Sequence, residues 1–106
     1  PTATPTATPT AQAGSTRIEL TGELDIATAP DLEHALGAQL TEGDGDVVLD
    51  LRGVTFLDSS GLRVVLVASR EAGGSGRRLI VVPGDGQVLR VIRLAQGEDR
   101  LDLGDG

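Results

Sequence analysis

An α/β fold built on a mainly parallel sheet is the architecture this sequence predicts, and three observations predict it. The stretch "TRIELTG" sets Ile18 and Leu20 against Arg17, Glu19 and Thr21, the period-two pattern of a half-buried strand. Two short apolar runs, "VVLDL" and "RLIVVP", each precede a segment with helical periodicity. The connections between these pieces are short, so the order (β)βαβαβα closes into one sheet of four or five strands with helices against it. At 106 residues the chain fits one domain.

The elements follow in order. "PTATPTATPTAQAG" is a period-four repeat of small residues, threonine and proline. It reads either as a tail or linker with little apolar surface to offset the entropy of ordering, or as an edge strand over about Thr6 to Gln12. Residues 1–12 are therefore set apart from a domain over 13–106, and the repeat is expected to add little to the core. After the period-two strand, "TAPDLEHALGAQL" reads as a helix that Thr28 caps, with Pro30 in its first turn and Asp31 three residues after the cap. Leu32, Ala35, Leu36 and Leu40 share its inner face. The acidic glycine loop "TEGDGD" ends it.

"VVLDL", Val47 to Leu51, reads as a buried strand leading into "FLDSSGLRVV". "GLRVVLVASREAG" is a helix with Leu62, Val65, Leu66 and Ala72 inward and Arg63 and Arg70 facing water. "RLIVVP" is continuous apolar sequence, the pattern of a strand covered on both faces. "QVLRVIRLA" is a third helix with Arg90 and Arg93 outward, and "RLDL" is a last strand or helical turn. Phe56 is the only aromatic residue, so the core must be aliphatic.

Composition excludes several chemistries. The formal charge is −7, and the nine basic residues, all arginine, are scattered along the chain. A phosphate-backbone binder needs a denser basic footprint, so no direct nucleic-acid partner is expected. Cysteine is absent, which removes disulfides and thiolate chemistry and suits a reducing cytoplasm. No apolar run approaches the ~20 residues of a membrane span, and the start lacks a signal-peptide layout. The chain begins at Pro1 rather than methionine, which raises the expectation of an upstream segment.

No lysine is present, so a standard phosphate loop is impossible, and the glycine clusters match no dinucleotide fingerprint. Asp44 and Asp46 resemble the opening of a calcium loop, but Val48 takes the next ligand position. No cofactor and no metal site are expected. Neither Ser59 nor Ser60 lies in a G-x-S-x-G elbow. The single histidine, His34, stands beside Glu33 on a polar helix face, so no catalytic residue is assigned and the domain reads as non-enzymatic.

"DSSG" remains. Asp58 or Ser59 can cap the helix, and Gly61 lets the backbone turn closely. One cap leaves a second hydroxyl, Ser60, at or just inside the helix N-terminus, at the end of a central strand. There a phosphate would meet free N–H groups and the positive end of the helix dipole.

"LTGELDIATAPDLEHAL", "VVLDLRGVTFLDSSGLRVVLVA" and "RLIVVPGDGQVLRVIRLAQGEDRL" together resemble, in order and spacing, the STAS domain of bacterial anti-sigma factor antagonists. The likeness runs from Thr16 to about Leu103. It implies a small mixed sheet with helices packed on one side and a first edge strand within the repeat. It further implies phosphorylation at Ser60 by a partner anti-sigma factor that is also a serine kinase, binding of that partner by the unmodified form with release of a sigma factor, and reset by a serine phosphatase.

By position, Asp25 and Asp58 would flank the acceptor, Ser59 would shape the loop, and Gly61, Leu62 and Arg63 would begin the helix that meets the partner. Three departures stand out. Arg63 occupies a place where a small residue is usual, the first strand is rich in proline, and the chain stops without the final helix of many members. A cytoplasmic domain with no membrane partner, monomeric or weakly dimeric, is expected. The alternatives are a STAS module serving as a structural subunit of a transport or signalling complex, and a small serine hydrolase with His34 near Ser60.

Overall fold

A computed structural model describes residues 6–9, 15–42 and 45–105, with only the backbone of 6–9 and 42. Thr6–Pro9 (β1) pairs antiparallel with Thr16–Leu24 (β2), from Thr6 opposite Glu19 to Pro9 opposite Thr16. The repeat is thus a strand over Thr6–Pro9, while residues 10–12 of the expected edge strand lie outside the described residues. Val47–Leu57 (β3), Leu79–Val82 (β4) and Asp102–Leu103 (β5) follow in parallel, giving one sheet in the order β1-β2-β3-β4-β5.

Between the parallel strands run Ala29–Glu42 (α1), Ser59–Gly74 (α2) and Gln87–Leu94 (α3), with a single 3-10 turn at Gly97–Asp99 before β5. Each crossover steps one strand along the sheet in the same direction, which for right-handed connections puts all three helices on one face. Burial agrees. Leu32 and Leu36 of α1, Leu62, Val65, Ala68 and Ala72 of α2, and Val88 and Ile92 of α3 form one core with Ile18, Leu20, Leu24, Leu49, Leu51 and Val81 of the sheet.

Among the described residues no helix lies on the other face of the sheet. "RLIVVP" is covered on both sides in part: Leu79 and Val81 lie in the core, and on the other face Ile80 is only half-buried. Val82 is buried, and it shares a groove with Pro83, Leu103 and Gly104 near the β5 edge. On this face the carboxylate of Asp50, 5% exposed, lies between Arg17 and Arg52.

Strand β3 is longer than the "VVLDL" read from the sequence, because two bulges carry it through Leu57. The register moves from Glu19↔Asp50 to Thr21↔Gly53, and from Gly22↔Val54 to Glu23↔Phe56, each time adding one residue to β3. Strict alternation from Val47 would send Val54 outward and Thr55 inward. The bulges reverse both, so inward positions run Val47, Leu49, Leu51, Val54, Leu57. At the first bulge a Cβ on Gly53 would lie 2.9 Å from Thr21 Cγ2 and 3.1 Å from the Leu20 carbonyl, so only glycine fits without a shift.

Candidate functional site

Leu24 and Leu57 are paired at the C-terminal ends of β2 and β3, so the next residues, Asp25 and Asp58, leave the sheet side by side. The Asp58 N–H donates to the Leu24 carbonyl at 3.1 Å and joins the two exits. This is the edge where open parallel sheets place functional groups.

Asp58 has an extended backbone (φ −108°, ψ −176°), and its Oδ1 accepts from the Gly61 N–H at 3.1 Å. Its carbonyl accepts from the Leu62 N–H at 3.0 Å. Asp58, rather than Ser59, is therefore the N-cap of α2, and Ser59 and Ser60 are its first two residues. Among the described residues no acceptor takes the N–H groups of Ser59 and Ser60. Gly61 is buried beneath them. A Cβ there would lie 2.6 Å from Leu24 Cγ and 2.9 Å from Leu57 Cδ1, so its absence lets the first turn of α2 settle on the strand ends.

The turn between β2 and α1 is tied by its own side chains. Asp25 Oδ1 accepts from the N–H groups of Ala27 (2.9 Å) and Thr28 (3.2 Å). The buried Thr28 hydroxyl accepts from the Asp25 N–H and donates to the Glu23 carbonyl, both at 2.9 Å. Thr28 precedes α1 as the sequence suggested, but its hydroxyl closes this turn instead of capping the helix. The turn leaves Ile26 outside, 76% exposed.

Ser60 is half-buried and borders a groove with Ile26, Pro30, Glu33, Arg63 and Val67. Ser59, exposed, borders a second groove on the other side of α2 with Leu62, Arg63 and Arg70. The structure thus gathers Asp25, Asp58, Ser59, Ser60, Gly61 and Arg63 at one edge of the sheet, with Leu62, 5% exposed, largely given to the core. His34 is exposed on α1 and lines a different groove from Ser60. Asp44 of the calcium-like stretch lies outside the described residues, and among those described no group of three or more His, Asp or Glu side chains could hold a metal.

Two contributors escaped the sequence reading. Ile26 sits in "ELDIAT", where an apolar residue just before a helix reads as ordinary staple packing. Gln87 reaches back from the start of α3 to the backbone of Leu57, and no local pattern signals a contact across thirty positions.

A two-layer α/β domain that offers two serines on the first turn of a central helix is thereby defined. The chain belongs to the STAS domain family: the family model described as "Mlab, STAS domain" matches residues 7–103. An anti-sigma-B factor antagonist of Staphylococcus aureus is 24% identical over 89 residues, covering 84% of this chain and 82% of that protein. Among solved structures, an anti-sigma factor antagonist from Mycobacterium paratuberculosis superposes with a TM-score of 0.83 at 25% identity, over 99% of this chain and 87% of that one. The Bacillus cell fate determinant SpoIIAA in its phosphorylated form gives a TM-score of 0.71 at 18% identity, over 95% and 91% of the two chains.

Proposed function

We propose that this domain is an anti-sigma factor antagonist whose switch is Ser60. Unmodified, it binds a cognate anti-sigma factor that is also a serine kinase, and so frees a sigma factor. Phosphorylation of Ser60 by that partner ends the binding, and a serine phosphatase restores it. The domain itself is a non-enzymatic regulator that works in the cytoplasm.

One observation carries this reading. Ser60 is the second residue of a capped helix whose first N–H groups have no acceptor among the described residues, and it borders a groove beside the exposed Ile26. A hydroxyl there is open to a kinase, and its phosphate would meet the positive end of the helix. The exposed apolar side chain supplies area for a protein partner. The names of a relative and of a similar structure, antagonists of anti-sigma factors, and the phosphorylated form in which the similar SpoIIAA structure is described support the same role. A hydrolase has less support, since His34 and Ser60 line separate grooves.

The test is to mix the domain with candidate anti-sigma kinases and ATP, and to locate phosphate by mass spectrometry. Phosphate on Ser60, with loss of the complex as it accumulates, is the expected result. Phosphate confined to Ser59 or elsewhere would remove Ser60 from this role.

A further inference from the structure

With sixteen carboxylates to nine arginines, this chain has a counter-charge for every cation, and most arginines have found a partner. Arg17 and Arg52 hold Asp50, Arg78 holds Asp102, and Arg93 pairs with Glu98. Arg77 donates to the carbonyls of Leu40 and Gly45. Among the described residues Arg63, Arg70, Arg90 and Arg100 have no such partner. Three of these four border one groove, Arg63 and Arg70 from α2 and Arg100 from the turn before β5, with Leu62, Leu66 and Val67 as its apolar lining.

We propose that this groove docks an acidic amphipathic segment of a partner protein, beside Ser60's own groove, with which it shares Arg63 and Val67. Charge complementarity favours this occupant: three cations without a partner among the described residues line the groove together with apolar side chains, in a chain of net charge −7, and fit carboxylates flanking apolar side chains. Spacing favours it too. Arg63 and Arg70 are seven residues apart, about 10 Å along the helix, farther than one phosphate reaches but matched by carboxylates two turns apart on a facing helix. The only aromatic residue, Phe56, is not in the groove, so a nucleotide base would find no stacking surface. Arginine also suits the task, being weakly hydrated and shaped for carboxylates.

The test is a titration of the isotope-labelled chain, followed by amide NMR, with a synthetic helical peptide carrying glutamates one heptad apart around a leucine pair. A glutamine-for-glutamate peptide and ATP are titrated in parallel. Shifts should centre on Leu62 to Arg70 and on Arg100, weaken as salt rises, and vanish with the glutamine peptide. The double variant Arg70→Glu, Arg100→Glu alters two exposed residues away from Ser60 and should weaken peptide binding by about tenfold or more, with its unfolding midpoint unchanged. The absence of shifts at these amides, equal binding by the double variant or by the glutamine peptide, or tighter binding of ATP at the same amides would overturn the proposal.

Discussion

Gln87 holds both backbone polar groups of Leu57: its Oε1 accepts from the Leu57 N–H at 2.9 Å, and its Nε2 donates to the Leu57 carbonyl at 3.1 Å. The need arises because β4 stops pairing with β3 at Asp50↔Val82, so among the described residues no strand pairs with the end of β3 on that side. Leu57 is buried, and its backbone groups would otherwise lack a protein partner. The amide of Gln87 replaces the missing strand and fixes the residue from which Asp58 departs.

Gln87→Leu should therefore cost about 1–3 kcal/mol, the usual penalty for leaving buried polar groups unsatisfied. Gln87→Glu keeps an acceptor for the Leu57 N–H but sets a carboxylate against the Leu57 carbonyl, and should fail to restore stability at neutral pH. Urea unfolding measures the loss, and faster hydrogen exchange at the Leu57 amide locates it. An unchanged midpoint in Gln87→Leu would show that water satisfies Leu57 equally well.

The contrast between Gln87 and "TRIELTG" shows what the sequence makes legible. Ile18 and Leu20 announce β2 because strand period and burial coincide over local positions, and Leu32 and Leu36 announce α1 in the same way. In β3 the alternation breaks after Leu51: Gly53 marks the first bulge, whereas the second depends on the register against β2, which no residue within β3 records. "DSSG" was readable as a cap because N-cap chemistry spans three residues. The hydroxyl of Thr28 was not, because its partners Glu23 and Asp25 belong to a turn whose shape depends on where β2 ends.

Gly61 and Gly73 lie in the same helix and should respond oppositely to alanine. A Cβ at Gly61 meets Leu24 and Leu57 at under 3 Å, and backbone as well as side chain would have to move. Gly61→Ala should destabilise by about 1–3 kcal/mol through overpacking and displace Ser60. At Gly73 nothing lies within 4 Å of the added carbon. Gly73→Ala should be neutral or stabilise by up to about 1 kcal/mol through helix propensity. Thermal unfolding of the two variants tests the pair, and equal midpoints would contradict the close packing at Gly61.

Asp50 should make the domain acid-sensitive in a defined window. Arg52 donates to its carboxylate from Nε and Nη2 at 3.0 and 2.9 Å, and the Arg52 backbone N–H adds a third bond at 3.0 Å. These bonds, helped by Arg17 and opposed by burial, lower its pKa from 3.8 to about 2. Because the folded value lies below the unfolded one, the stabilisation is complete above about pH 4 and is lost as the pH falls through about 2. The shift corresponds to about 2 kcal/mol. Asp50→Asn should lower stability at pH 7 and flatten this part of the profile, which urea midpoints between pH 7 and pH 2 can measure. An unchanged slope in the variant would assign the acid sensitivity to other carboxylates.

Modification of Ser60 should act at the interface and leave the fold intact. Phosphorylation adds about −1.5 to −2 charges at neutral pH, at an edge that already holds Asp25, Asp58 and the groove residue Glu33. Within the domain the start of α2 offsets part of this charge, by about 0.3–1 kcal/mol where exposed. Because Ser60 is half-buried at the rim of a groove, added bulk can point outward without entering the core. A partner surface shaped to a neutral hydroxyl has no such offset. A carboxylate ~6 Å from the phosphate is repelled by about 3 kcal/mol per unit charge at an effective dielectric near ~20, and a loss of ~3 kcal/mol already weakens binding more than a hundredfold. Ser60→Asp should therefore keep the circular dichroism spectrum and most of the stability while losing most affinity for the proposed anti-sigma partner, and Ser60→Ala should bind that partner and resist labelling. If Ser60→Asp bound as tightly as the parent while the phosphorylated protein did not, bulk and geometry would replace charge as the cause. If the phosphorylated protein itself bound tightly, Ser60 would not be the switch.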